Sequence, residues 1–141
     1  MNSLKQEDNK QLAGCRVLII DDEQVLLEVL QLFFNREGVI VSTAENLQIA
    51  HEHLSQRFPE HFDAVICDQR LPDGSGTDLL DAIQQASPNA VTILMSGFLE
   101  NSAATYQYSR QLQKPVSLMT LKAVLVEELS KQKNTISETV I

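Results

Sequence analysis

Hydrophobic residues along the chain fall into short continuous runs that alternate with longer segments of helical periodicity. The runs predict five β-strands, over residues 15–20, 39–44, 62–67, 90–95 and, more weakly, 111–113. Strict alternation of strand and helix is typical of right-handed βαβ units, whose parallel sheet is covered on both faces. The pattern therefore predicts an α/β fold built on one parallel sheet.

The helical segments are marked by apolar residues three and four positions apart and by residues suited to helix ends. Gly38 follows the first segment as an expected C-terminal cap, and Asn46 and Ser117 are suited to begin the second and the last. The third is predicted over residues 76–86, ahead of Pro88. The first helix carries the clearest apolar stripe, which consists of Val25, Leu26, Val29, Leu30 and Phe33.

The composition of the strands also predicts their order in the sheet. The runs VLII, AVI and TILM are almost entirely apolar, as expected for strands buried on both faces, whereas VIVSTA and QLQ are more polar and suit the edges. This arrangement is the doubly wound, flavodoxin-like order 2-1-3-4-5, with helices on both faces. Ligands of such sheets bind outside the carboxyl ends of the strands, here between the first and the third.

Carboxylates lie at this predicted ligand site between the first and third strands. Asp21 and Asp22 follow the first strand directly, and Asp68 follows the third. A solvated strand end and a helix start explain acidic residues at any one position, but clustering three of them is costly unless a cation lies among them. Oxygen ligands are those that Mg²⁺ prefers, and Mn²⁺ is the nearest substitute.

Two further strand ends add a hydroxyl and a cation. Ser96 ends the fourth strand and is followed by Gly97, while Lys114 follows the fifth and precedes Pro115. Three carboxylates, one ammonium and a divalent ion bring the formal charge near zero. Such a site is suited to receive an anion such as a phosphoryl group.

Composition excludes several classes of function. The 141 residues carry a net charge of −8, from 11 basic and 19 acidic residues, and the basic ones form no cluster of the kind that tracks nucleic acid. No segment has the length or apolarity of a membrane span or a signal peptide, so we expect no membrane contact and a cytoplasmic location. The domain is expected over residues 15–131, between a polar extension, 1–14, and a polar tail, 132–141.

At the strand ends the chain resembles the receiver domain of bacterial two-component response regulators. The resemblance extends from about Cys15 to Lys131 and is carried by DD at 21–22, by the aspartate of DQRLPDGSG, by SG at 96–97 and by KP at 114–115. It implies that Asp68 accepts a phosphoryl group from a sensor histidine kinase or a histidine phosphotransfer protein. The chain would then signal to a downstream protein by a conformational shift, and would catalyse only its own phosphorylation and slow autodephosphorylation.

The resemblance also implies a set of metal ligands. Asp22 and Asp68 would bind Mg²⁺ directly, Asp21 largely through water, and Arg70 through its backbone carbonyl. Few carboxylates together with several waters suit an ion that loses its hydration shell reluctantly.

For the phosphoryl group, the resemblance implies two further contacts. Lys114 would pair with Asp68 and then with a phosphoryl oxygen, and Ser96 would hydrogen-bond another oxygen and be drawn inward. The peptide bond between Lys114 and Pro115 would be cis, as is typical of the family.

Three positions depart from the family pattern. Gln111 stands where receivers carry an aromatic switch residue, which predicts altered or weak coupling to the output surface. The resemblance places Arg70 and Phe98 at the positions that flank the hydrolytic water. Neither side chain has a hydrogen-bond acceptor with which to orient that water, so we expect slow autodephosphorylation.

Other classes of protein explain the sequence less well. A nucleotide-binding loop is suggested by GSG at 74–76, but it follows the wrong strand and Leu79 stands where its third glycine belongs. A phosphatase with an aspartate nucleophile needs a second acid at position 70, which is arginine. A phosphorylation-independent interaction module with a receiver fold remains the alternative.

Overall fold

The computed structural model of the chain describes residues 11–56, 61–97 and 107–139. Its strands in chain order are β1 (Arg16–Ile20), β2 (Ile40–Ala44), β3 (Ala64–Asp68), β4 (Arg70–Leu71), β5 (Gly74–Ser75), β6 (Val91–Ser96) and β7 (Arg110–Gln113). Five of them form a parallel sheet in the order β2-β1-β3-β6-β7, and the two-residue strands β4 and β5 pair antiparallel outside it. The predicted doubly wound order is therefore confirmed, with the polar strands β2 and β7 at the edges.

Helices α1 (Gln24–Arg36), α2 (Leu47–Gln56), α3 (Gly76–Ala86) and α4 (Leu118–Thr139) connect or follow these strands. The predicted caps are present. The Asn46 side chain accepts from the amide of Ile49 at 2.8 Å, and Ser117 accepts from Thr120 at 3.0 Å. Gly38 follows α1 with a φ of +83°, a left-handed conformation that glycine adopts without steric cost.

Helix α2 also receives a second cap from a distant loop. The Asp73 carboxylate accepts from the amides of Leu47 at 2.8 Å and Gln48 at 3.0 Å. The first three amides of the helix, which have no partner within it, are thus satisfied by Asp73 and by Asn46. These bonds hold the pKa of the Asp73 carboxyl below its ordinary value.

Side chains of the three central strands alternate between two cores, one on each face of the sheet. Val17, Ile19, Ile66 and Ile93 pack with α1 and α4, while Leu18, Ile20, Val65 and Leu94 pack with α2 and α3. All eight are almost completely buried. Burial of each such side chain contributes roughly 1.5–3 kcal/mol to the free energy of folding. The central strands therefore hold the residues that follow them in fixed positions.

The described structure continues past both expected limits of the domain, and the limits themselves stay a prediction. Leu12, placed in a polar extension, is buried in the core beside α1 and α4. Helix α4 continues to Thr139, beyond the expected start of the tail at residue 132, because KQKNTISET contains neither glycine nor proline to stop it. The segment between β6 and β7 lies mostly outside the described residues. Among the described helices, none has both the length and the apolarity that crossing a membrane requires.

Candidate functional site

The three predicted carboxylates meet at the carboxyl edge of the sheet. Strands β1 and β3 are parallel neighbours, with Ile20 opposite Cys67, so the residues that follow each strand emerge together. One carboxylate oxygen from each of Asp21, Asp22 and Asp68 lies within 4.8 Å of the other two. The cluster consists of hard oxygen donors at a spacing that one divalent cation could bridge.

The members of this cluster differ in exposure. Asp21 is completely buried, Asp68 keeps 9% of its accessible surface, and Asp22 is exposed. Asp21 Oδ1 accepts from the amide of Glu23 at 2.9 Å, which fixes the turn into α1. Both oxygens of Asp21 have protein partners, because Oδ2 accepts from Lys114. The assignment of Asp22 and Asp68 as direct ligands, and of Asp21 as a ligand through water, stays a prediction.

Lys114 joins the carboxylates from the opposite side of the site. Its Nζ atom lies 3.1 Å from Asp68 Oδ2, the predicted contact, and 2.9 Å from Asp21 Oδ2. The contact with Asp21 was not predicted, because nothing in the local sequence links two residues 93 positions apart. The peptide bond between Lys114 and Pro115 is cis, as the resemblance implied.

The charges of this group affect one another. Burial alone would lower the pKa of Lys114, but hydrogen bonds and the charges of Asp21 and Asp68 outweigh it and raise the pKa. The pKa of Asp68 is also raised, chiefly by burial, although its hydrogen bond to Lys114 opposes the shift and Asp21 repels it. One ammonium does not fully offset two buried carboxylates, so the site has a residual preference for additional positive charge.

Gly76 allows helix α3 to begin directly against the backbone of Asp68. Its amide donates to the Gln69 carbonyl at 2.9 Å, and a Cβ atom added to it would lie 1.9 Å from the carbonyl oxygen of Asp68. The GSG sequence at 74–76 is therefore explained by close packing behind Asp68. This agrees with the rejection of a nucleotide-binding loop on sequence grounds.

Ser96 ends β6 next to this cluster and is fully buried. Its hydroxyl donates to the side-chain oxygen of Gln69, a contact that the sequence did not indicate. Arg70 begins β4 and is exposed, and its backbone amide is among the groups that oppose the rise in the pKa of Asp68. The metal-binding role of the Arg70 carbonyl stays a prediction, and Phe98 lies outside the described residues.

Gln111 lies on the edge strand β7, opposite Leu94 of β6. Its half-buried amide oxygen accepts from the hydroxyl of Tyr108 at 2.9 Å. The ring of Tyr108 packs against the core formed with α2 and α3. A polar residue at this position thus has the hydrogen bond that its partial burial requires.

Comparison with known proteins identifies the same region of the chain. The profile of the family described as the response regulator receiver domain matches residues 17–126. The response regulator protein PilR of Pseudomonas aeruginosa is 33% identical over 121 residues, covering 81% of this chain and 26% of PilR. The autoinducer 1 sensor kinase/phosphatase LuxN of Vibrio campbellii is 31% identical over 118 residues, covering 82% of this chain and 14% of LuxN. The chain thus spans about a quarter or less of these two relatives.

Solved structures with the same fold include two receiver domains. One, from Clostridium thermocellum, superposes with a TM-score of 0.76 at 26% identity and covers 86% of this chain and 98% of its own. The other, a beryllofluoride-activated NtrC4 receiver domain dimer, has a TM-score of 0.72 at 26% identity and covers 83% of this chain and 98% of its own.

Proposed function

Because the chain belongs to the response regulator receiver domain family, we propose that Asp68 accepts a phosphoryl group in the presence of Mg²⁺. The observation that carries the proposal is the group of three carboxylates and one lysine at the ends of β1, β3 and β7. Its residual preference for positive charge supports binding of a divalent cation before an anionic group arrives.

The transfer requires little from the protein beyond position and charge. A carboxylate oxygen of Asp68 forms a bond to phosphorus while the phosphorus–nitrogen bond of a phosphohistidine donor breaks, and the released imidazole takes a proton from solvent. Asp22, Asp68 and the Arg70 carbonyl would hold Mg²⁺, with Asp21 acting through water. When bound, the ion would supply positive charge to offset the negative charge on the phosphoryl oxygens.

Lys114 supplies the second positive charge. In the unphosphorylated chain it binds Asp21 and Asp68 with nearly equal distances. When Asp68 becomes an acyl phosphate, its Oδ charge moves onto the phosphoryl oxygens, so Lys114 transfers one hydrogen bond to them and keeps the other to Asp21. The chain modifies its own residue once and turns over no separate substrate. The slow autodephosphorylation expected from Arg70 and Phe98 belongs to the same proposal.

The phosphodonor is proposed to be a sensor histidine kinase or a histidine phosphotransfer protein that contacts α1. Val25, Val29 and Leu32 form a stripe on this helix, with 74%, 44% and 56% of their surface exposed. A cavity of about 330 Å³ is lined by Leu26 and Leu30 of the same helix and by Lys114, so α1 lies beside the lysine that pairs with Asp68. Exposed apolar residues at helical spacing are suited to pack against a partner's helix, and the sensor kinase among the relatives supports such a donor.

Intact mass measurement after incubation with acetyl phosphate and Mg²⁺ tests the proposal. We expect one phosphoryl group per chain, lost in Asp68→Asn and when EDTA replaces Mg²⁺. Asp63→Asn is the matched control, because Asp63 immediately precedes the same strand and caps the amide of Arg16 instead of facing the site. Absence of incorporation in the wild type, or undiminished incorporation in Asp68→Asn, would favour the phosphorylation-independent interaction module.

A further inference from the structure

Gln69, the residue after the phosphoacceptor, contacts the hydroxyl that the proposed function assigns to the phosphoryl group. Its side-chain oxygen accepts a hydrogen bond from Ser96 Oγ. Its backbone is fixed at both ends, since its amide donates to Met95 at 2.8 Å and its carbonyl accepts from Gly76 at 2.9 Å. Gln69 can therefore change this contact only through its side-chain torsions.

The position of Ser96 is likewise set by its backbone. Its carbonyl accepts from the amide of Lys114 at 2.7 Å, and Asp68 lies opposite Met95, one residue before it. Ser96 is thus adjacent to both Gln69 and the site, and rotation of its side chain is enough to change the acceptor of its hydroxyl. The hydroxyl has a single proton, so donation to Gln69 excludes simultaneous donation to a phosphoryl oxygen.

We infer that Gln69 is a positioning residue that tethers the Ser96 hydroxyl in the unphosphorylated chain and releases it when a phosphoryl group occupies Asp68. This inference rests on the proposed function. The exchange replaces a neutral amide acceptor by an anionic phosphoryl oxygen, and a charge-assisted hydrogen bond is about twice as strong as a neutral one. The exchange is therefore favourable only when the anion is present, and Gln69 opposes premature movement of Ser96.

The tether predicts a specific effect on ligand binding. A group that stabilises only the resting arrangement weakens the apparent affinity of any ligand that needs the other arrangement. Removing the acceptor should therefore tighten the binding of a phosphoryl mimic. The net contribution of one neutral hydrogen bond corresponds to a change of roughly twofold to tenfold.

Beryllofluoride with Mg²⁺ serves as the mimic, and its affinity is measured by titration followed by amide chemical shifts. Gln69→Met keeps the length of the side chain but has no strong acceptor, and Gln69→Asn keeps the amide on a chain too short by one methylene. Both variants should bind the mimic roughly twofold to tenfold more tightly than the wild type. The same spectra establish that each variant is folded.

A double-mutant cycle separates the tether from simple packing. In a Ser96→Ala background the hydroxyl is gone, so Gln69→Met should leave the affinity unchanged. If Gln69→Met tightens binding of the mimic equally with and without the Ser96 hydroxyl, the inferred tether is wrong. Unchanged or weaker binding in Gln69→Met alone would also contradict it. If the wild type binds no beryllofluoride at any Mg²⁺ concentration, the proposed function itself fails.

Discussion

The two halves of the site are held together by different kinds of contact. At the ends of β1 and β3, the carboxylates of Asp21 and Asp68 are buried and share the ammonium of Lys114. At the end of β6 and within β7, Ser96 and Gln111 form neutral hydrogen bonds with other side chains. A neutral hydrogen bond contributes only about 1 kcal/mol net and is exchanged readily, whereas a buried ion pair is costly to break.

This difference matches what each half would have to do. The acidic half, which consists of Asp21, Asp68 and Lys114, must keep its geometry before a phosphoryl group arrives. Positioning accounts for most of the catalysis in phosphoryl transfer. The neutral half, which contains Ser96 and Gln111, must change its contacts after the phosphoryl group has arrived. Substitutions in the acidic half should therefore cause large losses of stability, and substitutions in the neutral half should cause small ones.

Gly76→Ala should produce the largest effect. The new Cβ would lie 1.9 Å from the Asp68 carbonyl oxygen and 2.8 Å from Cys67 Sγ, so helix α3 must move away from the acidic half. We expect the free energy of unfolding to fall by roughly 3 kcal/mol or more, the upper part of the range for overpacking. Urea denaturation measures the loss.

Gly97→Ala is the matched control for this substitution. Gly97 directly follows β6, and a Cβ added there meets no atom of the described residues within 4 Å. Its free energy of unfolding should change by no more than about 0.5 kcal/mol. Equal losses in both variants would show that glycine itself, and not the contact behind Asp68, determines the result.

Lys114→Met should have the second largest effect. It leaves the fully buried Asp21 and the nearly buried Asp68 without their shared cation. Breaking a fully buried pair lowers stability by about 3–5 kcal/mol, and since 22% of the Lys114 side chain is exposed we expect about 2 kcal/mol. Denaturation in EDTA measures this loss, and added Mg²⁺ should recover much of it.

The control for Lys114 is Lys131→Met. Lys131 pairs with Glu127 and Glu128 on α4 and keeps 60% of its side chain exposed. Solvent screens the exposed ammonium of Lys131, and Glu128 keeps its pair with Arg110, so removal of Lys131 should change stability little and Mg²⁺ should not compensate. A larger loss in Lys131→Met than in Lys114→Met would contradict the comparison of the two halves.

Tyr108→Phe should have the smallest effect of the three. It removes the hydroxyl that donates to Gln111 and leaves a half-buried amide without that partner, at a cost of about 1 kcal/mol in unfolding free energy. Adding Gln111→Leu should restore most of the loss, because both polar groups are then absent. If the losses in unfolding free energy caused by Tyr108→Phe and Gln111→Leu simply add, the hydrogen bond between these side chains contributes nothing to stability.

The sequence was sufficient to predict the parallel sheet and to predict that the carboxylates of the acidic half lie close together. Strands buried on both faces leave continuous apolar runs, and parallel strands bring their carboxyl ends to one edge, so the positions of Asp21 and Asp68 follow from pattern alone. Hydrogen bonds between side chains leave no such signal. The contact of Gln69 with Ser96 joins residues 27 positions apart, and the burial of Leu12 depends on packing that periodicity does not describe.

The cap that Asp73 provides for α2 has a consequence for amide hydrogen exchange. The amides of Leu47 and Gln48 are bonded to a carboxylate in the loop that follows Asp68, so they exchange with solvent only when that loop moves away or α2 opens at its first turn. Deuterium uptake at these two positions therefore reports on the order of a loop more than twenty residues away in sequence. A change beside Asp68 would therefore alter deuterium uptake at the first turn of α2.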